Sequence, residues 1–434
     1  MHRTTQHWKN AAFVAADIAL VLTVAAGARW WWINRTPDIK IPAVPLPNPN
    51  GYERLTQAVK GLKHSDEVGH AIGRQIDSSE HVYTQEEKEQ LLTENVPALT
   101  AFRAALQLPM QAPPLHSFDD RMPEFARFRA LARLLSLEGE VHEEHSEWKQ
   151  AADSYLDAME LGIKVQKGGV IIHQLVGIAC QAIGLRPLVP LTDKLSPAEA
   201  GQVLARLNRL EAERTPFYQS LDTEKWWTEE ALLSLFRKYS LSRTLVKLRT
   251  ELGGDEINGQ PRKGPSLWER GTYVATAFVT SKQDVLKNYS HCLDEQIALS
   301  QETYDRSLAA PKVPTGLYSA ILMPVFSQAR YKDLDIRAHT ALLEGKLLLK
   351  TQESPSGAYP ITLTGLPRDP FARNGTDTLR YRRVSSTAYR LYSVGPDGKD
   401  DGGKPIAQKD SSGKIRRWSQ SEDNGDIVLG VDLY

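Results

Sequence analysis

The alternation of apolar and polar residues changes character several times along this chain. Residues 11–28, "AAFVAADIALVLTVAAGA", form an apolar run broken only by Asp17 and Thr23. A run of that length just crosses a hydrocarbon layer, and Trp30, Trp31 and Trp32, which follow it, carry the amphipathic rings that favour a membrane–water boundary. Residues 1–35 therefore read as a single-pass anchor acting through residues 11–32. A cleaved signal segment is the second reading, because Ala26-Gly27-Ala28 has the small-x-small form of a processing site. Asp17 counts against a span, since a charge at mid-bilayer is costly. Either reading exports the remainder of the chain.

From 36 to 52 the pattern is lost. Prolines at 37, 42, 45, 47 and 49 remove backbone donors and favour an extended linker that spaces the folded part from the membrane.

Between 53 and 329 the apolar residues return at steps of three and four. In "EFARFRALARLLSLEGE", Phe125, Phe128, Leu131, Ala132 and Leu135 share one helical face, and Trp148, Ala152, Tyr155 and Met159 do so in "EWKQAADSYLDAMELG". The pair predicts a helical hairpin resembling one tetratricopeptide unit, with a glycine closing its first helix. No second copy follows at the required period. The next segment, "GGVIIHQLVGIACQAIGL", is apolar on nearly all sides and predicts a buried central helix, in which Cys180 packs as a small hydrophobe rather than pairing with Cys292. Ser196 followed by Glu199 predicts a capping box. The glycine- and proline-rich stretch "LGGDEINGQPRKGPS" predicts a loop. The whole is an irregular helical array.

The last part, 330–434, opens with a helix whose leucines 342, 343, 347 and 348 face a core. It then changes to period two: "TLRYRRV" and "AYRLYSV", separated by Ser385, Ser386 and Thr387, predict a hairpin, and "DIVLGVDLY" a third strand. The fold class expected is mainly α, with a small C-terminal α+β module.

Candidate chemistry is sparse. His142 and His145 in "EVHEEHSEW" stand three apart, whereas a zinc-peptidase helix needs four. His64 and His70 imply no third ligand, and the adjacent Asp119 and Asp120 point apart on a helix. No nucleophile elbow, phosphate loop or dinucleotide fingerprint occurs in the sequence. Composition adds that Lys plus Arg and Asp plus Glu both total 53, so no net field favours nucleic acid, and none is expected as a partner.

One resemblance is carried by order. "GAYP", "LPRDPF", a tyrosine-bearing strand, "LYSVGPDGKDDGG" and a closing "DI" succeed one another between residues 357 and 427. Together they resemble the globular domain of the type II secretion major pseudopilins. The membrane segment here is remote from the module, unlike the family's continuous N-terminal helix. The resemblance implies a calcium ion held by the glycine–aspartate loop, with Asp397 matching the aspartate of the "DG" step and Asp423 or Asp426 matching the acidic residue before the final isoleucine. The residues themselves leave a plain surface turn equally open, because glycine and aspartate also make ordinary tight turns. The functional expectation is a non-enzymatic protein of the bacterial envelope, held in the inner membrane with its bulk on the exported side, and presenting a helical scaffold to an unidentified protein partner. An exported helical enzyme with a dispersed active site is the alternative.

Overall fold

In a computed structural model, the chain is described at residues 2–71, 83–252, 279–309, 326–353, 357–406 and 419–430, with a few further positions between 256 and 275. It is mainly α-helical with a three-stranded antiparallel sheet near the C-terminus, as the periodicity predicts.

Helix α1 (His2–Asn34) carries the apolar run. From Phe13 to Trp32 its side chains are exposed, and burial begins abruptly at Ile33, which is 2% exposed. The linker after it is irregular, as its prolines require, but it is laid on the body rather than held away from it. Ile33 belongs to a core with Phe217, Leu232 and Phe236, and Ile39 and Ile41 pack against the same core. The Asn34 side chain accepts a 3.0 Å bond from the Leu241 amide, and the linker ends at Asn50, whose carboxamide caps α2 (Gly51–Lys60).

The helical body continues through α3 (Ser65–Ala71), α4 (Gln85–Leu106), α5 (Glu124–Glu144), α6 (Trp148–Val165), α7 (Ile171–Leu191), α8 (Pro197–Ala212), α9 (Phe217–Lys238), α10 (Leu241–Leu252), α11 (Lys282–Gln301) and the single turn α12 (Arg306–Ala309). Thr84–Glu87, Ser196–Glu199 and Ser281–Asp284 form reciprocal capping boxes that fix three of the starts. Helices α5 and α6 are the expected hairpin. The glycine is inside α5 rather than after it: Gly139 lies under the Tyr155 ring, where a Cβ would come within 2.3 Å of Cε1. Helix α7 is the central helix, and even its Gln174 and Gln181 are fully buried. Burial explains why a segment apolar enough to span a membrane serves here as core. Cys180 is fully buried and is not bonded to Cys292. Of the predicted loop after α10, the described residues include a small ladder of β1 (Glu256–Ile257) with β2 (Gln260–Pro261).

Helix α13 (Phe326–Thr351) joins the two parts. A single apolar stripe is expected from its leucines, and two are found. Ile336, Leu343 and Leu347 enter a core with α6, α7 and α8. Ala338, Ala341, Leu342 and Leu349 enter another with Phe371, Leu379, Leu391 and Ile427. Gly345 allows this closeness, because a Cβ there would meet Leu391 at 2.9 Å. The sheet runs β3 (Arg380–Ser385), β4 (Ala388–Ser393), β5 (Ile427–Val428), with the hairpin register shifting between Arg383 and Ser385. The connecting turn is thus Ser386-Thr387, one residue shorter than expected. The third strand is a two-residue pairing, and Val431 of its predicted face lies outside the described residues.

Candidate functional site

The glycine–aspartate loop leaves β4 at Val394 and is tied back to the start of β5. Gly395 and Gly403 adopt φ of 68° and 80°, a region other residues avoid, and a Cβ on Gly395 would sit 2.2 Å from the Gly425 carbonyl oxygen. That close approach puts Asp426 beneath the loop, fully buried. Its Oδ2 accepts the amides of Gly403 (2.6 Å) and Lys404 (3.1 Å), and its Oδ1 accepts that of Asp401 (3.3 Å). Burial pushes the carboxyl up to about 6, against the pull of these three amides.

The other predicted positions act separately. Asp397 is buried and accepts the Lys399 amide at 3.1 Å, while its carbonyl accepts Arg373. The Asp423 carboxylate accepts the Gln420 amide at 2.8 Å, and its carbonyl accepts Arg306. The three are not gathered into one ligand group, and among the described residues no group of three or more His, Cys, Asp or Glu side chains is suited to a metal.

Two further aspartates organise the loop. Asp369, of the "DPF" step, is 3% exposed and accepts Ser393 Oγ (2.6 Å) and the amides of Phe371 and Val394. Burial raises its carboxyl, opposed by those bonds. Asp400 accepts Tyr392 OH and the Gly402 amide, each at 2.9 Å, and Arg380. Burial works upward on it, but these donors hold it below the usual range. The signal for Asp369 was its place just before Pro370, where an aspartate caps a turn.

Asp426→Ala would leave three amides under the loop without an acceptor. We expect a loss of about 3 kcal/mol, since each orphaned buried donor costs about 1 kcal/mol or more, read as a lower urea midpoint with the slope unchanged. Asp426→Asn should lose less.

A second feature is a cleft of about 470 Å³ between α8, α13 and the 367–372 turn. Glu211, Asp333 and Glu344 line it together with Arg330 and Arg337. Arg214 grips Glu211 through Nε (2.8 Å) and Nη2 (2.5 Å), and Arg337 Nε stands 2.9 Å from Asp333 Oδ2. Burial first, and the Glu211 charge second, push the Glu344 carboxyl up to about 7. Such a group can give or take a proton near neutrality. Among the described residues, the lining holds neither histidine nor cysteine.

Of the histidine pairs, His64, His142 and His145 have acidic partners. His142, in the last turn of α5, places its Nδ1 2.6 Å from Glu147, and His145 pairs with Glu89. His64 bridges Glu67 and Glu94. Asp120 closes a turn by accepting the amides of His116 and Ser117.

The pseudopilin resemblance accordingly stands on its motifs alone, for comparison with protein-family models, with curated proteins and with solved structures found no match.

Proposed function

We propose that this chain is a membrane-anchored interaction scaffold of the cell envelope, with its body on the exported side. The observation that supports it is the junction at Ile33. An exposed apolar helix ends in three exposed tryptophans and passes, within one residue, into the core of the folded body. A segment destined for removal has no need of such a joint, whereas a retained anchor transmits its position through it. Within the body, Arg103 of α4 and Arg206 of α8 share the buried Asp157 of α6, an ion-pair network that ties the three helices together.

Cell fractionation tests the reading. Full-length protein should stay in the membrane pellet through salt and alkaline washing, and a soluble species beginning at Arg29 would overturn the anchor. Protease added to spheroplasts should reach the body; full protection would reverse the topology.

Calcium would enter through Asp397, Asp423 and Asp426, and to reach Asp426 it must displace amides that now fill the carboxylate. A melting temperature higher in calcium than in chelator would support such a site; equal temperatures would leave the loop closed by its own backbone. The α8–α13 cleft is the observation that favours the alternative, an exported enzyme, with Glu344 as the proton-transferring group. Turnover of any substrate found for the purified chain would then fall at least about 100-fold in Glu344→Gln, the usual scale of general acid–base catalysis.

A further inference from the structure

Where α1 meets the body there is a second concavity, about 700 Å³ in volume. Its walls come from the end of the anchor, the first residues of the linker, α9 and α11. Trp32 and Trp226 supply aromatic surface, and Arg35 and Lys287 supply positive charge. Neither cation forms an ion pair with a described residue; Arg35 rests over the Trp31 ring at 5.7 Å. Acids share the wall with them. Asp294 is held by Lys225 at 2.6 Å with its side chain still 55% exposed, Glu229 is 2% exposed, and Asp38 is open to solvent beside them.

Resting on the anchored reading, we propose that this cavity binds the phosphodiester headgroup of a membrane phospholipid, with the phosphate between Arg35 and Lys287. Position selects the ligand. The tryptophan belt fixes Trp32 at the depth of the headgroups, so the cavity opens where phosphodiesters are concentrated and soluble anions are not. The chemistry agrees: two cations without an ion-pair partner among the described residues attract phosphate oxygens, a guanidinium can engage two of them at once, and indole rings bury the glycerol carbons. A lipid seated there would bridge the anchor and α11.

The full chain, extracted in mild detergent, would be supplied with phosphatidylglycerol, phosphatidylethanolamine or diacylglycerol and examined by native mass spectrometry. One phospholipid of either kind should be retained per chain, at least about tenfold more than diacylglycerol, because each lost phosphate contact is worth about 1.4 kcal/mol or more. Arg35→Gln with Lys287→Gln should abolish that preference, while alkaline-resistant membrane association stays unchanged. Equal retention of diacylglycerol, or wild-type retention by the double variant, would overturn the proposal. Displacement of the lipid by millimolar inorganic phosphate would reassign the cavity to a soluble anion and overturn it too. Loss of the chain from the membrane pellet in the wild type would refute the anchor instead, so the two failures are distinguishable.

Discussion

Gly177→Leu should prevent the protein from accumulating in folded form. Helices α6 and α7 approach one another through glycines: a Cβ on Gly177 would lie 2.4 Å from the Gly162 carbonyl oxygen, one on Gly162 would lie 2.4 Å from that of Gly177, and one on Gly184 would lie 2.3 Å from that of Tyr155. Flexible side chains can turn aside from an added methyl group, but these neighbours are backbone, so the helices themselves must separate. Separation would open the fully buried contacts of Gln166, Gln174 and Cys180 and the leucines around them. Overpacking of a dense core costs roughly 1–3 kcal/mol when side chains can adjust, and more where they cannot. A loss above about 3 kcal/mol removes a large share of the roughly 5–15 kcal/mol that holds a typical protein folded. Gly201→Ala is the contrasting case. It sits within α8, where the nearest atom to a new Cβ is 3.7 Å away, and it should gain about 0.5–1 kcal/mol from helix propensity. Comparable losses in Gly177→Leu and Gly201→Ala would show that the glycines matter for reasons other than contact.

The second large effect is one of pH. Glu224 on α9 is 6% exposed and accepts the Ile171 amide at 2.9 Å, in the first turn of α7. A helix N-terminus favours a carboxylate, yet burial wins and lifts Glu224 from 4.5 to about 7. A carboxyl whose folded pKa exceeds its unfolded value holds more protons when folded. Its contribution to stability is therefore greatest below pH 4.5 and is lost as pH rises toward 7. The displacement, 7 minus 4.5, is worth about 3 kcal/mol. Glutamine keeps an acceptor for the Ile171 amide without the charge. Glu224→Gln should match the wild type near pH 4.5 and exceed it by about 3 kcal/mol at pH 8. Parallel stability curves for the two proteins between these pH values would sink the argument. Glu140 and Glu344, both lifted to about 7 chiefly by burial, lend the wild type the same downward slope.

Local order was legible in the sequence wherever one residue type decides a conformation. Ser196 and Glu199 announced a helix start, the apolar periodicity of 124–165 announced a hairpin, and the glycines of 395–403 announced positive backbone angles. What escaped was decided by contacts between distant segments. Helix α13 shows one stripe to a periodicity argument, yet it has two cores to fill, because the sheet arrives on one side and α7 and α8 on the other. The proline linker reads as a spacer from composition, and nothing local in Ile33, Ile39 or Ile41 shows that Phe217 and Phe236 will receive them. The same holds for the loop. Asp426 was picked out by its neighbours in sequence, but its acceptor role depends on amides more than twenty residues away, and the α8–α13 cleft joins carboxylates separated by more than a hundred positions.

On the anchored reading proposed above, a joint that tightens within one residue of the tryptophans has a mechanical meaning. A body on a slack tether samples all orientations and a range of heights, so it can catch a partner approaching from anywhere within its reach. With Ile33 seated in the core and Asn34 bonded to Leu241, the proposed anchor and body turn together, and the freedom left is rotation about the membrane normal and drift within its plane. Any surface of the body then sweeps a ring at one fixed altitude. Recognition becomes a search in two dimensions, and a partner that shares the membrane need only carry its matching surface at that altitude to be found.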